Sequence, residues 1–160
     1  LSAGVFRDYA RGYGLEVSSD DAKEIRAAWL KTWPEMKKYF THVSNKTTWG
    51  PCEIAQFKSG RVRDGCTYTQ AANTYFQGLV ADGCKAALFN VSRACYTDQK
   101  SALFGSRPVA FLHDEIIIEC KDTETDNVKK AIQNIMESVP DYAKGLPLKA
   151  IPEVMRRYGK

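Results

Sequence analysis

At 160 residues and 17.9 kDa the chain has the size of one ordinary domain, which excludes a long multidomain machine. A 44% hydrophobic share with 26% charged residues is ordinary for a globular domain and disfavours disorder, collagen-like repeats and low-complexity polymer. The formal charge of +4, from 23 Lys and Arg against 19 Asp and Glu, suits a nucleic-acid surface without requiring one.

The longest apolar runs, Val109 to Leu112 and Ile116 to Ile118, are strand-sized, far below the roughly eighteen residues of a membrane helix, so no membrane span is expected. The 5 cysteines include no CxxC pair, which argues against a zinc site or disulfide framework and for a reducing compartment. The triplets Asn45-Lys46-Thr47 and Asn90-Val91-Ser92 match the glycosylation sequon, but nothing else suggests secretion. The chain opens Leu1-Ser2-Ala3, with neither Met nor a signal peptide, so residue 1 is expected not to be a natural translation start.

Along the chain, Val5, Phe6, Tyr9 and Ala10 at helical spacing predict a short helix between Ala3 and Gly14. Ser18 and Asp21 stand in capping-box spacing before Ala22, Ile25, Trp29 and Trp33, which recur on one helical face. This helix should break near Pro34 and resume through Met36, Tyr39 and Phe40, with Trp29, Trp33, Tyr39 and Phe40 in the core. From Thr41 to Gly65 helical periodicity fades, and β-branched residues with Gly50-Pro51 and Ser59-Gly60 predict strands and turns.

Thr67 and Gln70 form a second capping box, opening a long helix from Thr69 to Ala94. Pro108 to Leu112 and Ile116 to Ile118 read as a tight hairpin around His113-Asp114-Glu115. Val128, Ala131, Ile132, Ile135 and Met136 predict an amphipathic helix over Thr123 to Val139, and Leu146 to Ile151 reads as a closing strand.

Two features carry chemistry. Asp114 and Glu115 lie where hairpins usually place Asn-Gly or Asp-Gly, and adjacent carboxylates at a strand end can hold hard divalent cations. Gln70, Asn73 and Gln77 fall at i, i+3 and i+7, an amide stripe able to meet the degenerate acceptors of a DNA minor groove. Alone, each is more often a solvated turn or helix face. Arg61 and Arg63 alternate, so both could face phosphate from one side of a strand or turn. A metal-dependent phosphohydrolase built on His113-Asp114 finds only one further histidine, His42, to complete its ligands.

Gln70-Ala71-Ala72-Asn73-Thr74-Tyr75-Phe76-Gln77-Gly78-Leu79-Val80-Ala81-Asp82, followed by Phe111-Leu112-His113-Asp114-Glu115, resembles the carboxy-terminal part of family A DNA polymerases, the DNA polymerase I-like enzymes. His113-Asp114-Glu115 between apolar runs is similar to polymerase motif C, and the resemblance, closest to bacteriophage members, extends over essentially the whole chain. It implies an α+β fold: a palm-type antiparallel sheet with the motif C hairpin packed against long helices. Residues 1–45 would be a helical part of the fingers, and residues 46–160 the carboxy-terminal half of the palm.

The resemblance also implies a DNA-directed DNA polymerase, adding deoxynucleotides to a primer 3′ end by two-metal phosphoryl transfer in a bacterial or phage-infected cytoplasm. Asp114 would ligate Mg²⁺, Glu115 would sit beside it, and His113 would lie near the primer terminus. Asn73 and Gln77 match minor-groove positions, while Gln70, Arg61 and Arg63 are further candidates for DNA contact. Asp82 is expected to be structural, capping or pairing with a base such as Lys85. The family's second metal-binding aspartate belongs to a motif upstream that is absent here, as are the nucleotide-gripping fingers helix and the thumb. Partners would be primer-template DNA, deoxynucleoside triphosphates and the missing amino-terminal part, in the same or a separate chain. This chain alone is expected not to extend a primer. The competing class is a non-catalytic nucleic-acid-binding or structural domain.

Overall fold

A computed structural model describes residues 3–56, 59–138 and 140–159. The chain is α+β, with helices and two small sheets in the order α1 (Ala3–Gly12), α2 (Ser19–Thr32), α3 (Glu35–Lys46), β1 (Cys52–Ala55), β2 (Val62–Cys66), α4 (Tyr68–Tyr96), β3 (Arg107–Leu112), β4 (Glu115–Glu119) and α5 (Thr125–Met136). β1 pairs with β2, and β3 pairs with β4. Two compact units result: Leu1–Cys52 with Gly65–Ala72, and Glu53–Asp64 with Asn73–Lys160.

In the first unit, Ser18 caps α2 by accepting from the Asp21 N–H at 3.0 Å. The Asp21 carboxylate accepts from the Ser18 hydroxyl at 2.7 Å, so only half of the expected box forms. Pro34 ends the first helical run, as expected, but α3 continues through Lys46, past Thr41 where strands were expected. The fully buried Val43 extends the helical face of Met36, Tyr39 and Phe40, and the Thr41 and Thr47 hydroxyls donate to the Lys37 and Val43 carbonyls. Tyr39 donates to the Ala72 carbonyl, fastening α3 to the start of α4.

The expected aromatic core is only partly one. Trp29 and Trp33 are 41% and 52% exposed, while Trp29 and Tyr39 pack against Phe40 with ring centroids 6.1 and 5.7 Å apart. Their spacing placed them on one helical side, but periodicity does not say how deeply a side is covered.

In the second unit the core joins α4, the β3–β4 hairpin and α5. Val91, Cys95, Leu103, Ile116, Val128 and Ile132 form its buried centre, with Phe111, Ile118 and Met136 packed against it. Burying a side chain such as Leu103 contributes about 1.5–3 kcal/mol, so this cluster sets the stability of the frame that carries the hairpin. α5 is preceded by a short 3₁₀ turn, Asp122–Glu124, and ends at Met136, while Val139 of the expected helix lies outside the described residues.

The expected closing strand over residues 146–151 does not form. Pro147 and Pro152 remove ladder donors, and Leu146 and Ile151 are exposed. The Ala150 N–H instead donates to Glu137 Oε1 at 3.0 Å. Gln133 Nε2 donates to the same oxygen, and these bonds hold the Glu137 carboxyl below its ordinary range.

Candidate metal and nucleic-acid site

The hairpin forms because apolar residues fill both strands. Phe111 pairs with Ile116, and Leu112 with Glu115, which leaves His113-Asp114 as a two-residue turn. Glu115 is thus the first residue of β4 and not part of the turn. Ile116 and Ile118 pack on the core, so Glu115, Ile117 and Glu119 belong to the opposite strand face. At the far end Pro108 cannot donate to the ladder, and the register slips between Pro108 and Ala110, a bulge at Val109.

His113 has φ 55°, the only positive φ of a non-glycine among the described residues. A side chain in this left-handed region costs roughly 1–2 kcal/mol, and hairpins commonly give that position to Gly. The backbone strain thus falls at an exposed imidazole. His113→Gly should therefore leave the unfolding midpoint unchanged or raise it, by no more than about 1 kcal/mol, while removing the imidazole. Urea unfolding checks this; a loss above that size would mean the imidazole holds the turn.

Asp114 lies at the exposed tip of the hairpin. The Cys84 thiol on that helix is pushed above its ordinary range by burial and, secondarily, by the Asp114 carboxylate. Tyr142 follows the same logic, raised by burial, then by Asp82 and Cys84. Its buried hydroxyl lies 3.6 Å from where a Cβ on Gly83 would stand. Nothing in the sequence spacing announces Cys84 or Tyr142 as neighbours of these carboxylates.

For a hard dication, Asp114 is a fitting exposed oxygen donor, with Glu115 next to it on the strand. Among the described residues, no three His, Cys, Asp or Glu gather as a metal cluster. This hairpin can therefore supply part of a metal shell, not a whole one.

α4 carries the amide stripe. Gln70, Asn73 and Gln77 are exposed, and each directly precedes a buried small residue, Ala71, Thr74 or Gly78. The Gln70 side chain is engaged in capping: its Oε1 accepts from the Thr67 N–H at 2.9 Å and the Thr67 hydroxyl at 3.0 Å.

The segment joining β1 to β2 fastens onto the buried side of α4. Arg61 Nη2 donates to the Gly78 carbonyl at 3.1 Å, and Arg61 Nε lies 2.7 Å from Asp82 Oδ1. That second contact is an ion pair by distance, although the N–H is not aimed for a hydrogen bond. Ser59 donates to Asp82 Oδ2 at 2.6 Å, and Arg63 Nη1 donates to Thr74 Oγ1 at 3.0 Å. The buried Gln56 donates through Nε2 to the Thr74 carbonyl. Asp82 thus has the structural role expected of it, with Arg61 and Ser59 as partners instead of Lys85. Gly78 is explained as well: a Cβ there would collide with the Gln56 amide and lie 2.6 Å from Arg61 Nη2. A lone glycine inside a helical pattern was the available sequence signal for this close approach. Gln56 gave none.

The sequence model of DNA polymerase family A matches residues 9–160. The chain belongs to DNA polymerase family A. It is 28% identical over 145 residues to the DNA polymerase I of Aquifex aeolicus (strain VF5), covering 86% of this chain and 24% of that polymerase. It is 25% identical over 152 residues to the DNA polymerase I of Lactococcus lactis subsp. lactis (strain IL1403), covering 89% of this chain and 17% of that one. The DNA polymerase of Bacillus phage SP01 is also 25% identical, over 183 residues that cover 97% of this chain and 19% of the phage protein. This family A chain therefore spans a quarter or less of the length of these relatives. Bacterial and phage polymerases match it at similar identity, so identity does not separate the two sources. No helix among the described residues is long and apolar enough to cross a membrane.

Proposed function

We propose that this chain is a working part of a DNA-directed DNA polymerase, supplying a metal-binding carboxylate and the minor-groove contacts to primer-template DNA. The observation that carries the reading is Asp114: an exposed carboxylate on a strained two-residue turn, in a chain that belongs to DNA polymerase family A. Helices α1 to α3 are the fingers part, and the remainder, with the β3–β4 hairpin, is the carboxy-terminal half of the palm.

Asp114 would ligate Mg²⁺, and Glu115, one residue along the strand, would add negative charge beside it. The chemistry that Mg²⁺ would supply there is activation of the primer 3′ hydroxyl and stabilisation of the departing phosphate oxygen. His113 is carried by the turn to the primer terminus, where its imidazole can donate to the last nucleotide. Asn73 and Gln77 donate to minor-groove acceptors that every base pair presents, so they grip duplex without reading its sequence. Gln70 continues this face by one turn while capping the helix. Arg61 and Arg63 keep guanidinium surface in solvent, so each can meet a DNA phosphate while holding α4.

The remaining metal ligands and nucleotide-gripping groups come from the rest of the polymerase, in the same or a separate chain. Reconstitution tests this. The chain alone should not extend a primer; joined to or mixed with the remainder of a family A polymerase, it should do so in Mg²⁺ with deoxynucleoside triphosphates. Robust extension by the chain alone would refute the division of ligands. DNA binding without extension in any combination would leave a nucleic-acid-binding domain.

A further inference from the structure

The β1–β2 segment touches α4 in a pattern that the polymerase reading does not use. Gln56 donates to the Thr74 carbonyl and Arg61 to the Gly78 carbonyl, two acceptors one helical turn apart on the buried side of α4. Asn73 and Gln77 are the residues immediately before those two carbonyls. A helix carbonyl already accepts from its own i+4 N–H, so each of these oxygens takes a second donor from outside the helix. Such bonds fix how far the helix is rotated and how high it sits, which local helix formation leaves free. Gly78 is small enough to admit both donors.

We propose that Gln56 is a positioning residue for the amide face of α4, acting through the Thr74 carbonyl to hold Asn73 and Gln77 where they meet the minor groove. Gln56 is 4% exposed, so it acts on DNA only through the helix. Among the described residues its Oε1 has no hydrogen-bond partner, which makes the residue a poor choice for stability alone. A buried acceptor left unpaired is destabilising, and an apolar side chain of similar bulk would avoid that penalty. The single bond through Nε2 is what the amide adds.

The inference rests on the minor-groove reading of Asn73 and Gln77, and one experiment separates the two. The affinity of the full chain is measured for a primer-template duplex and for the same duplex with 3-deazaadenine replacing adenine, which removes a minor-groove acceptor. The wild type should bind the natural duplex about fivefold more tightly, and the Asn73→Ala/Gln77→Ala double variant should bind both alike. If the wild type does not discriminate, the minor-groove reading falls and takes this inference with it. Gln56→Leu should keep or raise the unfolding temperature, yet lose discrimination to less than about twofold. Gln56→Met, which is unbranched at the same position, is the second variant should Gln56→Leu not fold. Wild-type discrimination in either folded variant overturns the positioning role and leaves the minor-groove reading standing. Failure of both to fold also overturns it, because the amide would then be required by the fold itself.

Discussion

In a family A polymerase assembled around this chain, Asp114→Asn should slow primer extension about 10³-fold while primer-template affinity stays within about twofold. Asn is nearly isosteric with Asp and is favoured in turns, so the β3–β4 hairpin should survive the change. The core contacts of the hairpin come from Phe111, Ile116 and Ile118, not from its tip. What disappears is the charge on the oxygen donor, and hard dications depend on it. Single-turnover extension rates and binding isotherms, measured separately, distinguish lost chemistry from lost binding. Equal rates in the two proteins would remove Asp114 from the reacting centre.

Gly78→Ala should destabilise the chain by about 2 kcal/mol, against the usual direction for a glycine inside a helix. Replacing a helix-interior glycine by alanine ordinarily stabilises by about 1 kcal/mol. Here the new methyl would collide with the Gln56 amide and lie 2.6 Å from Arg61 Nη2. Neither neighbour moves away freely: Gln56 is buried, and Arg61 is held by the Gly78 carbonyl and Asp82. Gly83→Ala is the internal control, because its methyl would meet only the Tyr142 hydroxyl at 3.6 Å, an ordinary contact. Urea unfolding of the pair should show a loss at Gly78 and no loss at Gly83. A gain at both would mean that the β1–β2 segment does not press on α4.

These two positions show what local sequence reasoning reaches. The long helix, the hairpin and the amphipathic α5 are set by apolar periodicity, and the structure has them within a few residues of their expected ends. The α3 extension beyond Thr41 was legible as well: the fully buried Val43 continues the i, i+3, i+4, i+7 face begun by Met36, Tyr39 and Phe40. Leu146 to Ile151 has the apolar residues of a strand but, with Pro147 inside it and Pro152 after it, forms none.

At the site, His113-Asp114-Glu115 and the amide stripe are contiguous or helically spaced, so both were legible. The strain at His113, the clamp from Gln56 and Arg61, and the electrostatic influence of Asp114 on Cys84 are facts of the folded chain. They arise between segments whose separation along the chain carries no periodic signal.

Cys84 offers the most direct test of the central claim that Asp114 is a cation-holding carboxylate. The Asp114 charge disfavours the Cys84 thiolate, so neutralising that charge should lower the thiol pKa and speed alkylation at a fixed pH below it. Iodoacetamide labelling of Cys84 in the polymerase assembled around this chain, followed by mass spectrometry, is measured against Mg²⁺ at constant ionic strength. The wild-type rate should rise and saturate with Mg²⁺, while Asp114→Asn should start faster and show no Mg²⁺ response. An Mg²⁺ response that is absent from the wild type, or identical in the two proteins, would contradict the assignment of the metal to Asp114.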